Sequence, residues 1–480
     1  MKKSTIITAF LTIVFSSANT IAQPSCSSLN ITHKADIVSN CSQMMMTMIH
    51  DQNDHPYLYV ANKEAGLKVY DISVITAPSL VATVATTLFD MLDVMSVSQY
   101  GNYLYLAIGN SFVNPAGGGM AIVDVTTPAA PVVTDYYIAP DANSSGGIVR
   151  VEGNLAYLGA MQSGLIILDV ADKSDIQFVS QFIPAIDYPP VPNPNAGHYN
   201  ARGMEVRNGI VYLCYDAGGI RIINCTNKLA PVETGHWCNP AMYLPFDHPK
   251  AYNNIVLDDT LAYVAVDYAG MEVLNISDTG NIQMTGWWNP YNAPNTNWFG
   301  CNIHANEIHF EKNCRRVFLS TGKSDMHVID VSNPASPDSC NAYGGTGNET
   351  GTWGLGVWKD QIYLSYICAA VPFSSLLTQV TLLTYDTCLA TTGVTAPNTN
   401  TSVIFSPNPF STQTVLQSDK TLINATLTVN NIFGQMVTQI ENIDGPSVVF
   451  PRGTLASGLY VARLTEENKT IATQKLIITE

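Results

Sequence analysis

One short pattern recurs seven times along this chain and constrains its fold more than any other feature. The copies are Tyr57-Leu-Tyr-Val-Ala61, Tyr103-Leu-Tyr-Leu-Ala107, Leu155-Ala-Tyr-Leu-Gly159, Ile210-Val-Tyr-Leu-Cys214, Leu261-Ala-Tyr-Val-Ala265, Arg316-Val-Phe-Leu-Ser320 and Gln361-Ile-Tyr-Leu-Ser365. Their aromatic anchors, Tyr59, Tyr105, Tyr157, Tyr212, Tyr263, Phe318 and Tyr363, are spaced 46, 52, 55, 51, 55 and 45 residues apart. That spacing is the length of a propeller blade and exceeds most helical solenoid units. A second element follows the first six anchors in fixed internal register: Gly66 to Asp71, Gly119 to Asp124, Gly164 to Asp169, Gly219 to Asn224, Gly270 to Asn275 and Asp325 to Asp330. Its first residue suits a left-handed turn, and its last can accept from backbone amides in the turn that follows.

A β-like segment precedes each anchor strand and another follows the Gly strand, so each unit reads as a four-stranded antiparallel meander. Seven such units give an all-β chain built on a seven-bladed β-propeller over residues 23–388. The last unit stops at Cys388 one strand short, whereas residues 27–38 precede the first blade and have no place in it. This N-terminal segment is expected to supply the missing outer strand of blade seven and close the ring.

Charged residues make up only 12% of the chain and hydrophobic ones 46%, which argues for packed domains over disorder. A formal charge of −16 makes nucleic acid a poor partner. Residues 1–22 read as a secretory signal: Lys2 and Lys3, the apolar run Ile6 to Phe15, then Thr20-Ile-Ala22 before the cleavage point. Cys26 lacks the small residues and upstream Leu of a lipidation site, and no later apolar run has the length to span a bilayer. Ten cysteines in an exported chain predict disulfides, and hairpin proximity favours Cys26 with Cys41, Cys214 with Cys225, and Cys301 with Cys314.

The Gly-x-apolar-x-apolar-Asp element with its preceding aromatic strand resembles the LVIVD repeat, as in Ala121-Ile-Val-Asp-Val125 and Val328-Ile-Asp-Val331, across about residues 41–388. The resemblance implies a secreted or surface propeller and no single activity. Residues 389–402 are small, polar and uncharged, as in a linker. Residues 403–480 alternate like the short strands of a small Ig-like β-sandwich. This tail resembles the type A sorting domain of the Bacteroidota type IX secretion system. The matching segments are Phe405-Ser-Pro-Asn-Pro-Phe410 (with Pro407, Asn408 and Pro409), Asn431 to Val437 (with Gly434), Leu455 to Leu464 (with Gly458 and Tyr460) and Gln474 to Ile478. The resemblance implies contact with the type IX machinery, passage across the outer membrane and removal of the tail, often with transfer of the passenger to lipopolysaccharide. Ser406 departs from the aromatic often found before Pro-Asn-Pro, and Phe405 covers that role. Gly458 is expected to permit a tight turn.

No G-x-S-x-G, H-E-x-x-H, P-loop or EF-hand pattern is present. The best constellation is positional. His198, His248 and His304 stand 14, 15 and 14 residues before Tyr212, Tyr263 and Phe318, so they should share one rim of three consecutive blades. Tyr199, Arg202, Tyr252, Trp298 and Trp353 belong to the same loops. The three histidines could ligate a metal such as Zn2+, although loop histidines are more often solvated turn residues. Trp237, Trp287, Trp288, Trp298 and Trp353 suit a glycan or peptide, although one of Trp287 and Trp288 must pack between blades. Glu307 and His309 share a strand face from which His304 points away, which favours a structural role. Asp90 with Asp93, and Asp258 with Asp259, could hold Ca2+ or serve as turn residues. The primary expectation is therefore an exported, monomeric binding or interaction module with no cofactor. The alternative is a surface hydrolase or metal-dependent enzyme working at the channel mouth of blades four to six.

Overall fold

The structure, a computed structural model, describes residues 29–110, 117–141, 144–243, 251–345, 347–348, 350–386, 403–431, 435–466 and 469–479. Residues 1–22, read above as a leader, residues 389–402, read as a linker, and Cys26, His248 and Gly434 lie outside the described residues. The chain divides into two compact units, Met1–Cys388 and Leu389–Glu480.

Seven four-stranded antiparallel sheets make up the first unit among its described residues. Blade one runs Met48–His50, Tyr57–Ala61, Leu67–Asp71 and Ser79–Val84, and five more blades repeat that meander in chain order. Blade seven is Thr352–Trp358, Gln361–Tyr366 and Gln379–Tyr385, completed by Ile31–Val38 as its outermost strand. Ile31 pairs with Tyr385 and Val38 with Gln379. Each innermost strand contacts those of both neighbours, and Thr352–Trp358 returns to Met48–His50, so the ring closes into a propeller.

Packing explains the spacing of the repeat. All seven aromatic anchors are buried, at most 4% exposed. Tyr59 packs with Val94, Val97 and Leu104 of the next blade, and Tyr105 with Val149, Ala156 and Leu158 of the one after. Tyr363 reaches round to Leu58 and Val60 of blade one. The middle strands are thus covered on both faces, which is why they read as apolar runs rather than alternations. Gly219 has φ 73, and a Cβ there would lie 2.1 Å from the Trp237 carbonyl oxygen, so the position rejects other residues. The repeat's last side chain, Asp71, Asp124, Asp169, Asn224, Asn275 or Asp330, accepts from the amide two residues on at 2.7–3.1 Å in all six copies.

The cysteines do not follow hairpin proximity. Cys41 bonds Cys368, with Cα atoms 5.5 Å apart and 327 residues between them in sequence, and so ties the start of blade one to blade seven. Cys26 is therefore not the partner of Cys41. Cys214 and Cys225 are free and buried. The register pairs Cys214 with Ile220 and Ile210 with Asn224, which sends the two sulfurs to opposite ends of their hairpin. Cys301 is free, whereas Cys314 and Cys340 are each in a disulfide, so Cys301 and Cys314 are not joined.

The second unit has its own core, from Val403 and Phe410 to Leu476 and Ile478. Its strands are longer than the alternation predicts: Gln413–Asn431 and Met436–Pro451 pair from Gln413 with Pro451 to Asn430 with Met436, with breaks in register, and all five strands form one hydrogen-bonded sheet. Breaks in register between Gln417 and Leu422 and between Leu422 and Ala425 let the first strand continue through the polar residues Asp419, Lys420 and Asn424. Among the described residues no helix is long and apolar enough to cross a membrane.

Candidate functional site at the channel mouth

The ring of inner strands leaves a central channel, and of the seven positions four residues after an anchor, Asp216, Asp267 and Ile367 line its mouth. The seven are Lys63, Gly109, Met161, Asp216, Asp267, Gly322 and Ile367. Five of them bridge to the start of the next blade: Lys63 to Val94, Met161 to Ala201, Asp216 to Tyr252, Asp267 to Ala305 and Gly322 to Thr352. On the side of blades one and two, Lys63 is buried between Asp93, at 3.0 Å, and Glu64. On the other side, Asp216 and Asp267 help to line an open cleft of about 280 Å³.

Of the eight residues singled out from sequence for a ligand, His198, Arg202, Trp298, His304 and Trp353 line this cleft together. Tyr199 and Tyr252 do not. Tyr199 is 2% exposed and packs on Tyr215, while Tyr252 is fully buried and its hydroxyl donates to Glu272 at 3.1 Å. Each follows a residue that lines the cleft, His198 or Ala251, and turns instead into an interblade core, a change of face that loop spacing does not reveal. Trp237, Trp287 and Trp288 point their indole N–H groups at Glu272, the Ala269 carbonyl and Ser339, and none lines the cleft. Sequence reasoning missed Asp216, Asp267, Asn253, Asn306 and Phe373, which also line it. For the two acids the offset of four from the anchor was the available signal.

Asp267 is the hub of the mouth. It accepts from the Trp298 indole N–H at 2.6 Å and from His304 Nδ1 at 2.7 Å. With its proton on Nδ1, His304 presents Nε2 as an acceptor, and this atom has no protein partner although the residue is 1% exposed. The imidazole stands edge-on to Trp298 and Phe373, at 5.5 and 5.4 Å between ring centres, which fixes its plane. Asp216 accepts from Asn200 Nδ2 at 2.9 Å on one oxygen, while the other lies 3.7 Å from Arg202 and accepts no hydrogen bond. Burial pushes the Asp216 carboxyl up to about 6, against the pull of Arg202 and Asn200 and with a further push from Asp267. Asn253 donates to the Ala305 carbonyl at 2.7 Å and to Asn306, leaving its own Oδ1 unpartnered. The Arg202 guanidinium lies 5.1 Å over the Trp353 ring.

Arg202, Asn253, Asn306 and Trp353 also line the channel below the cleft, and Glu307 lies deeper still. Glu307 accepts from Asn254 at 2.5 Å, and burial raises its carboxyl above the usual range. His309 lies on the lower channel wall, and burial holds its imidazole down at about 4, so it stays uncharged near neutrality. Neither joins His304. Among the described residues no three His, Cys, Asp or Glu side chains are grouped to hold a metal ion. The acidic pairs have cationic or hydroxyl partners: Asp93 with Lys63, Asp90 with Tyr136, Asp258 with Arg315 and Asp259 with Lys312.

In the tail, Asn408 accepts from the Ile477 amide at 2.9 Å and donates to the Lys475 carbonyl at 2.6 Å, between Pro407 and Pro409. The motif thereby clamps the final strand. Tyr460 packs in the core and its hydroxyl donates to the Ala456 carbonyl. Gly458 opens a strand, paired with Ile478, and the turn falls before it, where Gly453 has φ 55.

Residues 404–479 match the family described as the secretion system C-terminal sorting domain. Residues 56–86, 93–138, 146–183 and 318–343 match the LVIVD repeat. Blades four and five, which supply Asp216 and Asp267 and carry Asn224 and Asn275 where other copies have Asp, lie outside those matches. No curated protein matches the chain. Among solved structures, "Crystal Structure of Mitotic Checkpoint Complex" is similar at TM-score 0.48 and 8% identity, covering 79% of this chain and 99% of that one. "Crystal structure of the computationally designed Ika8 protein: crystal packing No.1 in P63" is similar at TM-score 0.45 and 8% identity, covering 93% and 100%. The sorting domain marks proteins that leave through type IX secretion and are attached at the cell surface or released. This chain carries LVIVD repeats in its β-propeller and, behind them, a type IX secretion sorting domain.

Proposed function

We propose that the exported propeller acts as a monomeric binding module and takes its ligand in the channel-mouth cleft, after the leader 1–22 and the tail 403–480 have directed it outward. The observation that carries this reading is that three buried polar atoms without hydrogen-bond partners, Asp216 Oδ1, Asn253 Oδ1 and His304 Nε2, belong to residues that line one cleft together with Trp298 and Trp353. Leaving such an atom unsatisfied costs about 1–3 kcal/mol, so groups like these serve a ligand or ordered solvent rather than the fold. Arrays of immobilised peptides and glycans probed with the full chain test the reading. Binding that weakens about tenfold or more in Trp353→Ala, with an unchanged melting curve, is expected. A folded protein that retains nothing on either array would refute it.

One observation favours a second reading, catalysis. The Asp267 carboxylate accepts from His304 Nδ1 and leaves Nε2 without a hydrogen-bond partner on a residue that lines the cleft, which is how a general base is held, and Asp216 nearby can carry a proton below about pH 6. Among the described residues the cleft lining holds the carboxylates of Asp216 and Asp267 beside His304, groups that can activate water or a substrate proton. Release of nitrophenol from nitrophenyl glycosides, abolished in His304→Ala, would establish it.

A further inference from the structure

Resting on the binding reading above, we infer that the cleft is built for an uncharged sugar ring. The inventory of unsatisfied groups decides between ligand classes. Three acceptors, on Asp216, Asn253 and His304, await donors. One donor group awaits acceptors: among the described residues the Arg202 guanidinium makes no side-chain hydrogen bond, its nearest partner being Asp216 at 3.7 Å.

An anionic group offers no donor of its own to the three acceptors and meets the carboxylates of Asp216 and Asp267. An ammonium offers nothing to Arg202 and is repelled by it. Vicinal hydroxyls both donate and accept, and so serve both sets at once. The apolar C–H face of a sugar ring also stacks on an aromatic plane, which Trp298 and Trp353 supply in the same cleft. The fixed orientation of His304, braced by Asp267 and two rings, keeps its acceptor aimed without an ordering cost on binding. A peptide carries donors and acceptors too, but it leaves the indole planes dependent on its side chains.

The experiment is titration calorimetry of the full chain with three probes: neutral gluco-, manno- and xylo-oligosaccharides, uronic-acid oligosaccharides, and a pool of random octapeptides. Binding of a neutral oligosaccharide is expected, with affinity changing less than about twofold when salt is raised, because no ion pair forms. Asp216→Ala should weaken it about tenfold or more, whereas Asp216→Asn, which keeps a carbonyl acceptor, should stay within about threefold. Binding confined to uronates and lost in salt, or confined to peptides, would overturn the sugar assignment and leave the cleft as a binding site. A protein with a native melting curve that binds none of the three would overturn both.

Discussion

Arg221 is 1% exposed, yet its guanidinium is fully engaged: it donates to the carbonyls of Gly218, Ala185 and Tyr188 at 2.7–3.0 Å, pairs with Glu233 at 3.1 Å and lies over the Tyr188 ring. Two of those carbonyls belong to the long connection 183–201 that brings His198 to the cleft, so one buried cation pins a loop to blade four. Arg221→Ala should cost about 3–5 kcal/mol, because it leaves Glu233 and several carbonyls uncompensated. Arg221→Lys should not rescue it, since an ammonium cannot span the fork. Urea denaturation and the rate of proteolysis within 183–201 measure the two effects, and an unchanged cleavage rate would show that the loop is held by other means. Asp216 carries a second prediction. Burial raises its carboxyl from 3.8 to about 6, so the folded chain holds this proton more tightly than the unfolded one. Stability from this site is thus fully present in acid and lost as pH rises through about 6. Relative to Asp216→Asn, the parent protein should lose up to about 3 kcal/mol between about pH 4 and pH 7, read as diverging denaturation midpoints. Parallel midpoints would contradict it.

The strand Ile31–Val38 joins blade seven from the opposite end of the propeller sequence, and its removal would bare the row from Gln379 to Tyr385 as an open edge. Deleting residues 23–40 should lower the melting temperature by about 10 °C or more, even with the Cys41–Cys368 bond retained. A melting curve that does not move would mean that ring closure does not depend on this strand. The middle strands of each blade were legible because each is squeezed between neighbours and calls for similar residue types: an aromatic anchor in all seven, a Gly in five copies with Asp325 in the sixth, and an Asp or Asn that caps the turn in six. The tail strands were less so. Asp419, Lys420 and Asn424 are polar, and the strand continues through them across breaks in register. At the cleft, the loop histidines and tryptophans could be placed by counting back from the anchors. Asp216 and Asp267 could not be singled out, because their position also holds Lys63, Gly109, Met161, Gly322 and Ile367, and only burial beside His304 and Arg202 gives them a role. Cysteine pairing was illegible for a topological reason: Cys41 and Cys368 meet only because the ring closes.

Among the described residues each unit has hydrophobic clusters of its own. Every cluster in the propeller draws on residues between Leu29 and Tyr385, and the tail cluster draws only on residues between Val403 and Ile478. Their folding free energies should therefore be nearly additive, and either can be removed without unfolding the other. A chain lacking residues 403–480 should retain the propeller's melting transition and lose only the tail's. The same deletion removes the sorting domain, with the Asn408 clamp on its final strand, and with it the route through the type IX machinery. In cells that carry that machinery, the shortened protein should accumulate folded inside the outer membrane, while the tail fused to an unrelated folded passenger should bring that passenger to the surface or the medium. Fractionation with protease protection reads both. Surface exposure of the shortened chain would show that the propeller itself holds an export signal, and loss of its melting transition would show that the tail contributes to a common core.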